Sequence, residues 1–283
     1  METYFARRRP VADMTARQTA TEVVLVDYGL GNLRSVTRGL ERAGADVTLT
    51  DDPADIDAAD GVVLPGVGAF SEGMENAGPF RDALVDAAAD GTPLFGICLG
   101  MQMLLTSSEE ADHVGEGDVE GLDLVPGRNV RFDEALTVPH MGWNELDVER
   151  DHPIVAGVDG GPSETSRANG AGGSVDGEYA YFVHSYYARP DDETAIVTTT
   201  DYGADFPSIV AGEAGNVFGT QFHPEKSGET GLRILRNFVA YCRQRPAGQN
   251  DRSGVTTRTA RVLSVGGTRK LAEAAETTML WTT

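Results

Sequence analysis

Residues 93–105 read Pro93-Leu94-Phe95-Gly96-Ile97-Cys98-Leu99-Gly100-Met101-Gln102-Met103-Leu104-Leu105, and the fold turns on how they are parsed. Pro93–Ile97 is an apolar run of strand length, and Met101–Leu105 begins a helical pattern. Between them, Gly96-Ile97-Cys98-Leu99-Gly100 is a tight strand-to-helix turn, its two glycines allowing a sharp bend and close backbone approach. A reactive side chain at such an apex is a nucleophile elbow, here with cysteine where hydrolases of that type carry serine. An elbow of this kind projects at the carboxyl edge of a parallel sheet, where open α/β folds bind ligands. A helix N-terminus behind the sulfur favours the thiolate. The Leu99 amide is free to face a developing oxyanion. The ordinary role of a lone cysteine is a small buried apolar residue. That role suits Cys242, which lies in a late helical pattern.

Working outward, the same alternation continues upstream. Val23–Asp27 reads as a buried strand, Asn32 to Ala43 as a helix with Leu33, Val36 and Leu40 on one face and Gly44 at its end. Val47–Thr50 and Gly61–Leu64 read as strands, the latter running into Pro65-Gly66-Val67-Gly68, and Phe80 to Ala89 reads as a helix. Strands alternating with helices predict a parallel sheet covered on both faces. Beyond about residue 120, short strand-like runs such as Tyr181–Val183, Ala195–Thr199 and Val217–Phe222 predict an added antiparallel portion. Leu232–Tyr241 closes the domain as a helix with Leu232, Leu235, Phe238 and Val239 as its apolar stripe. The predicted fold is α/β: an open, mostly parallel sheet flanked by helices, flavodoxin-like, with an antiparallel addition.

One domain is expected over residues 21–243. Residues 1–20 form an extension without periodic pattern, with Met14 an alternative start. Residues 159–177, DGGPSETSRANGAGGSVDG, read as a flexible surface insertion. Residues 244–283 carry no interpretable motif and read as a disordered tail, with a small helix around Lys270–Met279 as the rival reading.

The net charge is −21, and the two end segments mask how acidic the domain is. They hold ten of the 23 basic residues but five of the 44 acidic ones, leaving 13 basic and 39 acidic in residues 21–243. Lys226 is the one lysine in that span. Such a surface speaks against nucleic-acid binding, which needs positive charge at the phosphates. It resembles the surface of a protein working in concentrated salt, where self-repulsion is screened. Hydrophobic residues make up 40% of the chain, as in a soluble globular protein. No stretch approaches the roughly 20 apolar residues that span a membrane. The first residues lack the apolar run of a secretory signal, so the cytoplasm is the expected compartment.

A cysteine nucleophile benefits from a base. Of the five histidines, at 113, 140, 152, 184 and 223, His223 stands out within Gly219-Thr220-Gln221-Phe222-His223-Pro224-Glu225. It follows an apolar run, at a predicted sheet edge, and Glu225 two residues on is placed to fix its tautomer as the third member of a triad does. His152, in the polar run Arg150-Asp151-His152-Pro153, reads as an ordinary surface or core residue. No histidine pair has metal-ligand spacing, and no metal or cofactor is expected. Trp143, after Pro139 and beside Gly142, reads as either an interface anchor or a core tryptophan. Glu110, in the acidic run 108–112, reads as either a ligand group or a solvated helix end.

CLGMQ at 98–102 together with QFHPEKSG at 221–228 resembles the class I, triad-type glutamine amidotransferases. Within them the chain is similar to the glutaminase subunit family of imidazole glycerol phosphate synthase. The resemblance is carried by DYGLGNLRSV at 27–36, LPGVGAF at 64–70, GICLGMQMLL at 96–105, PHMGWNEL at 139–146, YFVHSYY at 181–187 and GTQFHPEKSG at 219–228. It covers about residues 22–243. It implies that Cys98 attacks the amide of L-glutamine to give a glutamyl thioester, that His223 moves the protons and that Glu225 orients His223. It implies an oxyanion hole of the Leu99 and Val67 amides, switchable because glycines flank Val67. It implies a glutamine pocket of Gly66, Gly68, Gln102, Glu110, Ser185 and Tyr186. Asn32, Trp143 and Lys226 map to the face toward a synthase subunit, a TIM-barrel cyclase that takes up the ammonia in a heterodimer. An amidotransferase subunit of another pathway, or a catalytically silent subunit on the same fold, are the alternatives; the PGVG and HMGWN motifs and the intact triad speak against them.

Overall fold

The computed structural model describes residues 21–110, 117–158 and 178–244. The expectations for residues 1–20, 159–177 and all but the first residue of 244–283 lie outside these, as does His113. Along the chain, β1 (Thr21–Val26) leads to α1 (Leu33–Ala43), β2 (Ala45–Thr50), β3 (Gly61–Leu64), α2 (Phe70–Asn76), α3 (Arg81–Ala89), β4 (Leu94–Ile97) and α4 (Leu99–Met103). Then come β5 (Leu105–Ser108), β6 (Val119–Glu120), β7 (Val125–Arg131), β8 (His140–Glu145) and β9 (Asp147–Val148). β10 (Tyr179–His184), β11 (Tyr186–Pro190), β12 (Ile196–Asp201), β13 (Asp205–Ala211), β14 (Val217–Thr220) and α5 (Gly228–Arg243) complete the described chain.

The main sheet has eight strands in the order β2-β1-β3-β4-β14-β13-β12-β9. The five from β2 to β14 run parallel, and β13, β12 and β9 continue antiparallel. Two smaller sheets, β10-β8 and β11-β7-β5-β6, sit beside it. The run at 217–222 therefore belongs to both portions: β14 is parallel to β4 and antiparallel to β13. Sequence alone could not show this, because strand direction depends on the partner rather than on the residues.

Period-two alternation explains the layers. Val23 and Leu25 of β1 enter one core cluster, with Val36 and Leu40 of α1 and Leu235, Phe238 and Val239 of α5. Val24 and Val26 enter another, with Phe70 of α2, Leu84 of α3 and Leu99 and Met103 of α4. Strands buried on both faces read as continuous apolar runs, as VVLV does. Gly44 ends α1 in the left-handed region at φ 94°, its N–H reaching the Glu41 carbonyl.

The helix expected to begin at Met101 starts earlier and is short. Leu105 already belongs to β5. Residues 121–125 fold back, so that Leu122 and Leu124 donate to the Met103 and Leu104 carbonyls. Those acceptors cap the helix after little more than a turn. Among the described residues no helix is long and apolar enough to cross a membrane.

Candidate active site

The elbow is built by close packing. Cys98 sits at φ 54° and ψ −108°, a strained position for a residue with a side chain. A Cβ on Gly100 would stand 1.8 Å from the Leu64 carbonyl oxygen, and one on Gly96 2.6 Å from the Met101 nitrogen. Only glycine lets β3, β4 and α4 converge there. The Cys98 N–H donates to the Thr220 carbonyl at 2.7 Å, locking the elbow to β14.

That bond also explains how residues distant in sequence meet. β14 pairs with β4 so that Thr220 lies beside Ile97. Cys98 follows Ile97 and His223 follows Thr220 by three residues, so both emerge at one sheet edge. His223 is then held from behind: its N–H donates to the Tyr181 carbonyl at 3.0 Å and its carbonyl accepts from Ser227 Oγ at 2.7 Å. Its Nδ1 meets Glu225 Oε1 at 3.0 Å, with both side chains buried. Nε2 closes no hydrogen bond of full geometry within the chain, but the Cys98 sulfur acts on the ring both as a hydrogen-bonding neighbour and through its charge. Burial pushes the His223 pKa down, but the Cys98 sulfur and the Glu225 carboxylate outweigh it and raise the pKa to about 9. That balance favours the imidazolium form of His223.

A cavity of about 330 Å³ opens on the sulfur. It brings together Cys98, His223, Val67, Leu99, Gly68, Gln102, Glu110, Ser185 and Tyr186, nine of the residues named from sequence. Gln102 donates through Nε2 to the Tyr186 carbonyl at 2.8 Å and to Gln221 Oε1 at 3.1 Å, leaving its own Oε1 as an acceptor. Glu110 Oε2 accepts from the Phe70 N–H at 2.8 Å. Gly66 does not line the cavity: a Cβ there would meet the Tyr28 hydroxyl, Leu99 Cβ and the Gly100 nitrogen within 2.6–2.8 Å. Gly68 is open, at φ 105°. Glu225 lies behind His223 rather than at the cavity wall.

The residues mapped to a partner face gather elsewhere on the surface. Trp143 is 57% exposed, so it is not a core tryptophan. Its ring packs edge-on to Tyr181 with centroids 6.0 Å apart, and Lys226 Nζ stands 5.8 Å over the same Tyr181 ring. Met141, 63% exposed, shares that face of the β8–β10 ribbon. Asn32 precedes α1, its carbonyl accepting from the Ser35 and Val36 amides, and α1 packs beside the Pro224–Lys226 turn.

Sequence reasoning missed three residues near the sulfur. His184 lines the cavity, its Nδ1–H donating to the Tyr186 carbonyl at 2.9 Å while His140 Nδ1 meets its Nε2 at 3.1 Å. Gln221 stands with Nε2 3.7 Å from Cys98 Sγ. Tyr28 Oη donates to the Pro65 carbonyl at 2.5 Å, just before the PGVG turn. All three lie inside the quoted motifs, but which way a side chain points was not written there. Among the described residues no group of three or more His, Cys, Asp or Glu is arranged to hold a metal ion.

Comparison with known proteins agrees with this geometry. The family model described as "Glutamine amidotransferase class-I" matches residues 24–242. The imidazole glycerol phosphate synthase subunit HisH of Haloarcula marismortui is 78% identical over 229 residues, covering 81% of this chain and 99% of that protein. The HisH subunit of Natronomonas pharaonis is 74% identical over 232 residues, covering 82% of this chain and all of that one. Among solved structures, PurLQS from Thermotoga maritima shares the fold with a TM-score of 0.56 at 21% identity, over 78% of this chain and 99% of that chain. With the cysteine elbow and the His-Glu pair at one sheet edge, and relatives matched over nearly their whole length, the chain belongs to the class I glutamine amidotransferases and, within them, to the HisH subunit family of imidazole glycerol phosphate synthase.

Proposed function

We propose that Cys98, His223 and Glu225 release ammonia from glutamine and that a synthase partner consumes it in histidine biosynthesis, in the cytoplasm. One observation carries the reading: the sulfur and imidazole named from sequence meet at one cavity, with a buried carboxylate 3.0 Å behind the imidazole. The Cys98 thiolate attacks the side-chain carboxamide carbon. A C–S bond forms and the carbonyl π pair moves to oxygen, where the Leu99 and Val67 amides receive it. Imidazolium His223 gives a proton to the departing nitrogen, the C–N bond breaks, and ammonia leaves a glutamyl thioester. Neutral His223 then takes a proton from water as that water attacks the thioester carbon. The C–S bond breaks to give glutamate and the thiolate. Glu225 keeps Nδ1 protonated throughout.

At the other end of the substrate, Gln102 Oε1 and Glu110 are acceptors that suit an ammonium group, with Ser185, Tyr186 and Gly68 shaping the pocket and Gly66 packed behind it. Val67 completes the oxyanion hole when a partner biases its peptide inward, so that glutamine is spared until an acceptor is bound. The partner is a TIM-barrel cyclase docked on Asn32, Trp143 and Lys226 as a heterodimer. It carries ammonia through its interior to a phosphoribulosyl-formimino nucleotide intermediate, yielding imidazole glycerol phosphate and aminoimidazole carboxamide ribotide.

The test is co-purification with the cyclase subunit followed by glutaminase assays in molar potassium chloride: subunit alone, with partner, then with nucleotide. Turnover should rise at each step. One missing oxyanion donor costs about 10²–10³ in rate. Full turnover by the lone subunit would remove the switch, and no turnover in any state would remove the glutaminase.

A further inference from the structure

We propose that Gln221 is a second-acting residue of the reaction: its side-chain amide donates a hydrogen bond to the Cys98 sulfur and stabilises the thiolate. The inference rests on Cys98 being the nucleophile. Gln221 is fully buried, and its Nε2 lies 3.7 Å from Cys98 Sγ, within hydrogen-bond reach of sulfur. The side chain has little freedom to turn away. Its Oε1 accepts from Gln102 Nε2 at 3.1 Å, and its backbone N–H is spent on the Ser208 carbonyl at 2.9 Å. With Oε1 engaged as acceptor, the amide is oriented so that Nε2–H faces the sulfur.

Beyond His223, the surroundings of the sulfur favour such a donor. The Val183 carbonyl stands 4.0 Å from the same sulfur. It suits a thiol that donates and disfavours a thiolate that cannot. The helix behind Cys98 has five residues, so few peptide dipoles align to stabilise an anion there. A buried charge needs hydrogen-bond donors of its own. Gln221 supplies one from the side of the sulfur that faces β14, opposite in sense to the Val183 carbonyl.

The arrangement also joins two tasks. Gln221 Oε1 holds Gln102, which lines the cavity, while Gln221 Nε2 holds the nucleophile. A substrate that seats on Gln102 therefore finds the sulfur registered through one rigid amide.

The experiment uses the full chain with its synthase partner and compares wild type with Gln221→Met, which keeps length and removes both polar atoms. Alkylation of Cys98 by iodoacetamide is followed across pH, since this small reagent does not need the glutamine pocket. Loss of a hydrogen bond to a charged group should move the alkylation midpoint up by about one pH unit or more. kcat for glutamine-dependent synthesis at neutral pH should fall about tenfold or more, while synthesis from ammonium salts, which bypasses Cys98, stays at the wild-type rate and reports assembly. Gln221→Glu, which keeps the acceptor toward Gln102 but turns an oxygen on the sulfur, should also move the midpoint upward, and it serves if Gln221→Met does not assemble. An unshifted alkylation profile in an assembled variant, with the loss confined to KM, overturns the inference and leaves Gln221 as a mere support for Gln102. Wild-type enzyme that keeps glutamine-dependent synthesis after Cys98 is alkylated overturns the nucleophile itself, and the inference with it.

Discussion

The Tyr28 hydroxyl and the Pro65 carbonyl are joined by a 2.5 Å hydrogen bond in the buried interior. It ties the turn after β1 to the turn after β3, at the residue that leads into Gly66-Val67-Gly68. Burial raises the Tyr28 pKa, and the neighbouring Cys98 adds to the effect, so the hydroxyl remains a donor at any working pH. Tyr28→Phe leaves that carbonyl without its partner and should cost about 1–3 kcal/mol of stability. With its anchor gone, the PGVG turn should also sample the inward Val67 amide without help, raising glutaminase turnover of the lone subunit. Urea melts and a partner-free glutaminase assay check both. Unchanged lone-subunit turnover would show that the anchor does not restrain Val67.

Cys98→Ala should abolish glutamine-dependent synthesis in the complex and leave ammonium-dependent synthesis within about twofold. The nucleotide chemistry belongs to the partner, so only the supply of nitrogen is lost. Coupled assays with each nitrogen source settle it, and loss of both in an assembled complex would contradict the division of labour.

Gly100→Ala should be among the most damaging single-methyl additions in the domain. The new carbon would overlap the Leu64 carbonyl oxygen at 1.8 Å, between backbone segments that cannot both move. A loss of more than about 3 kcal/mol is expected. Gly78→Ala is the matched control, because a Cβ there meets nothing within 4 Å. It should change the urea midpoint by less than about 1 kcal/mol equivalent.

The outward half of the site was legible because its signals are local. The elbow glycines, the strand before Cys98 and the His-Pro-Glu turn are each written within a few residues. The pairing of β14 with β4 brings them together, and that pairing is non-local. Gln221, His184 and Tyr28 escaped notice for the same reason: their importance lies in what they touch across the sheet, at Cys98, Tyr186 and Pro65. The short α4 was misread because GMQMLL is equally apolar as helix or strand, and the carbonyls that end the helix are claimed by residues 121–125.

Trp143→Ala should leave the isolated domain within about 0.5 kcal/mol of wild type, since the ring is mostly in solvent. Partner affinity should fall by about 2 kcal/mol or more, roughly 30-fold. Titration calorimetry with the cyclase subunit reads the second effect and thermal melts the first. A large melt shift with unchanged affinity would move Trp143 from docking to folding.

Stability should peak near neutral pH. Burial pushes His140 to about 4; burial with help from Arg150 pushes His152 to about 4; and burial, against the Tyr186 carbonyl, takes His184 to about 3. In the unfolded chain each titrates near 6.5. The unfolded state therefore binds more protons on acidification, and stability present above about pH 6.5 is lost from there down to about pH 4. His223 runs the other way. Its folded value near 9 means that its contribution is full below about pH 6.5 and lost as pH rises through 9. Urea midpoints at pH 5, 7 and 9 in molar potassium chloride should be lower at both ends, and a flat profile from 7 to 5 would show that His140, His152 and His184 are protonated in the fold.

The placement of β14 has a further consequence for how the chain is made. β4 ends at Ile97, yet the strand that closes its free side does not begin until Val217. A ribosome delivering the chain from its N-terminus exposes the hydrogen-bonding edge of a fully apolar strand while the whole antiparallel portion is still being synthesised. During that interval the thiol exists without its imidazole. A chain cut short by premature termination thus carries a bare cysteine and an unpaired edge, and on the proposed mechanism it is sticky but unable to consume glutamine until the last strand of the sheet has brought in His223.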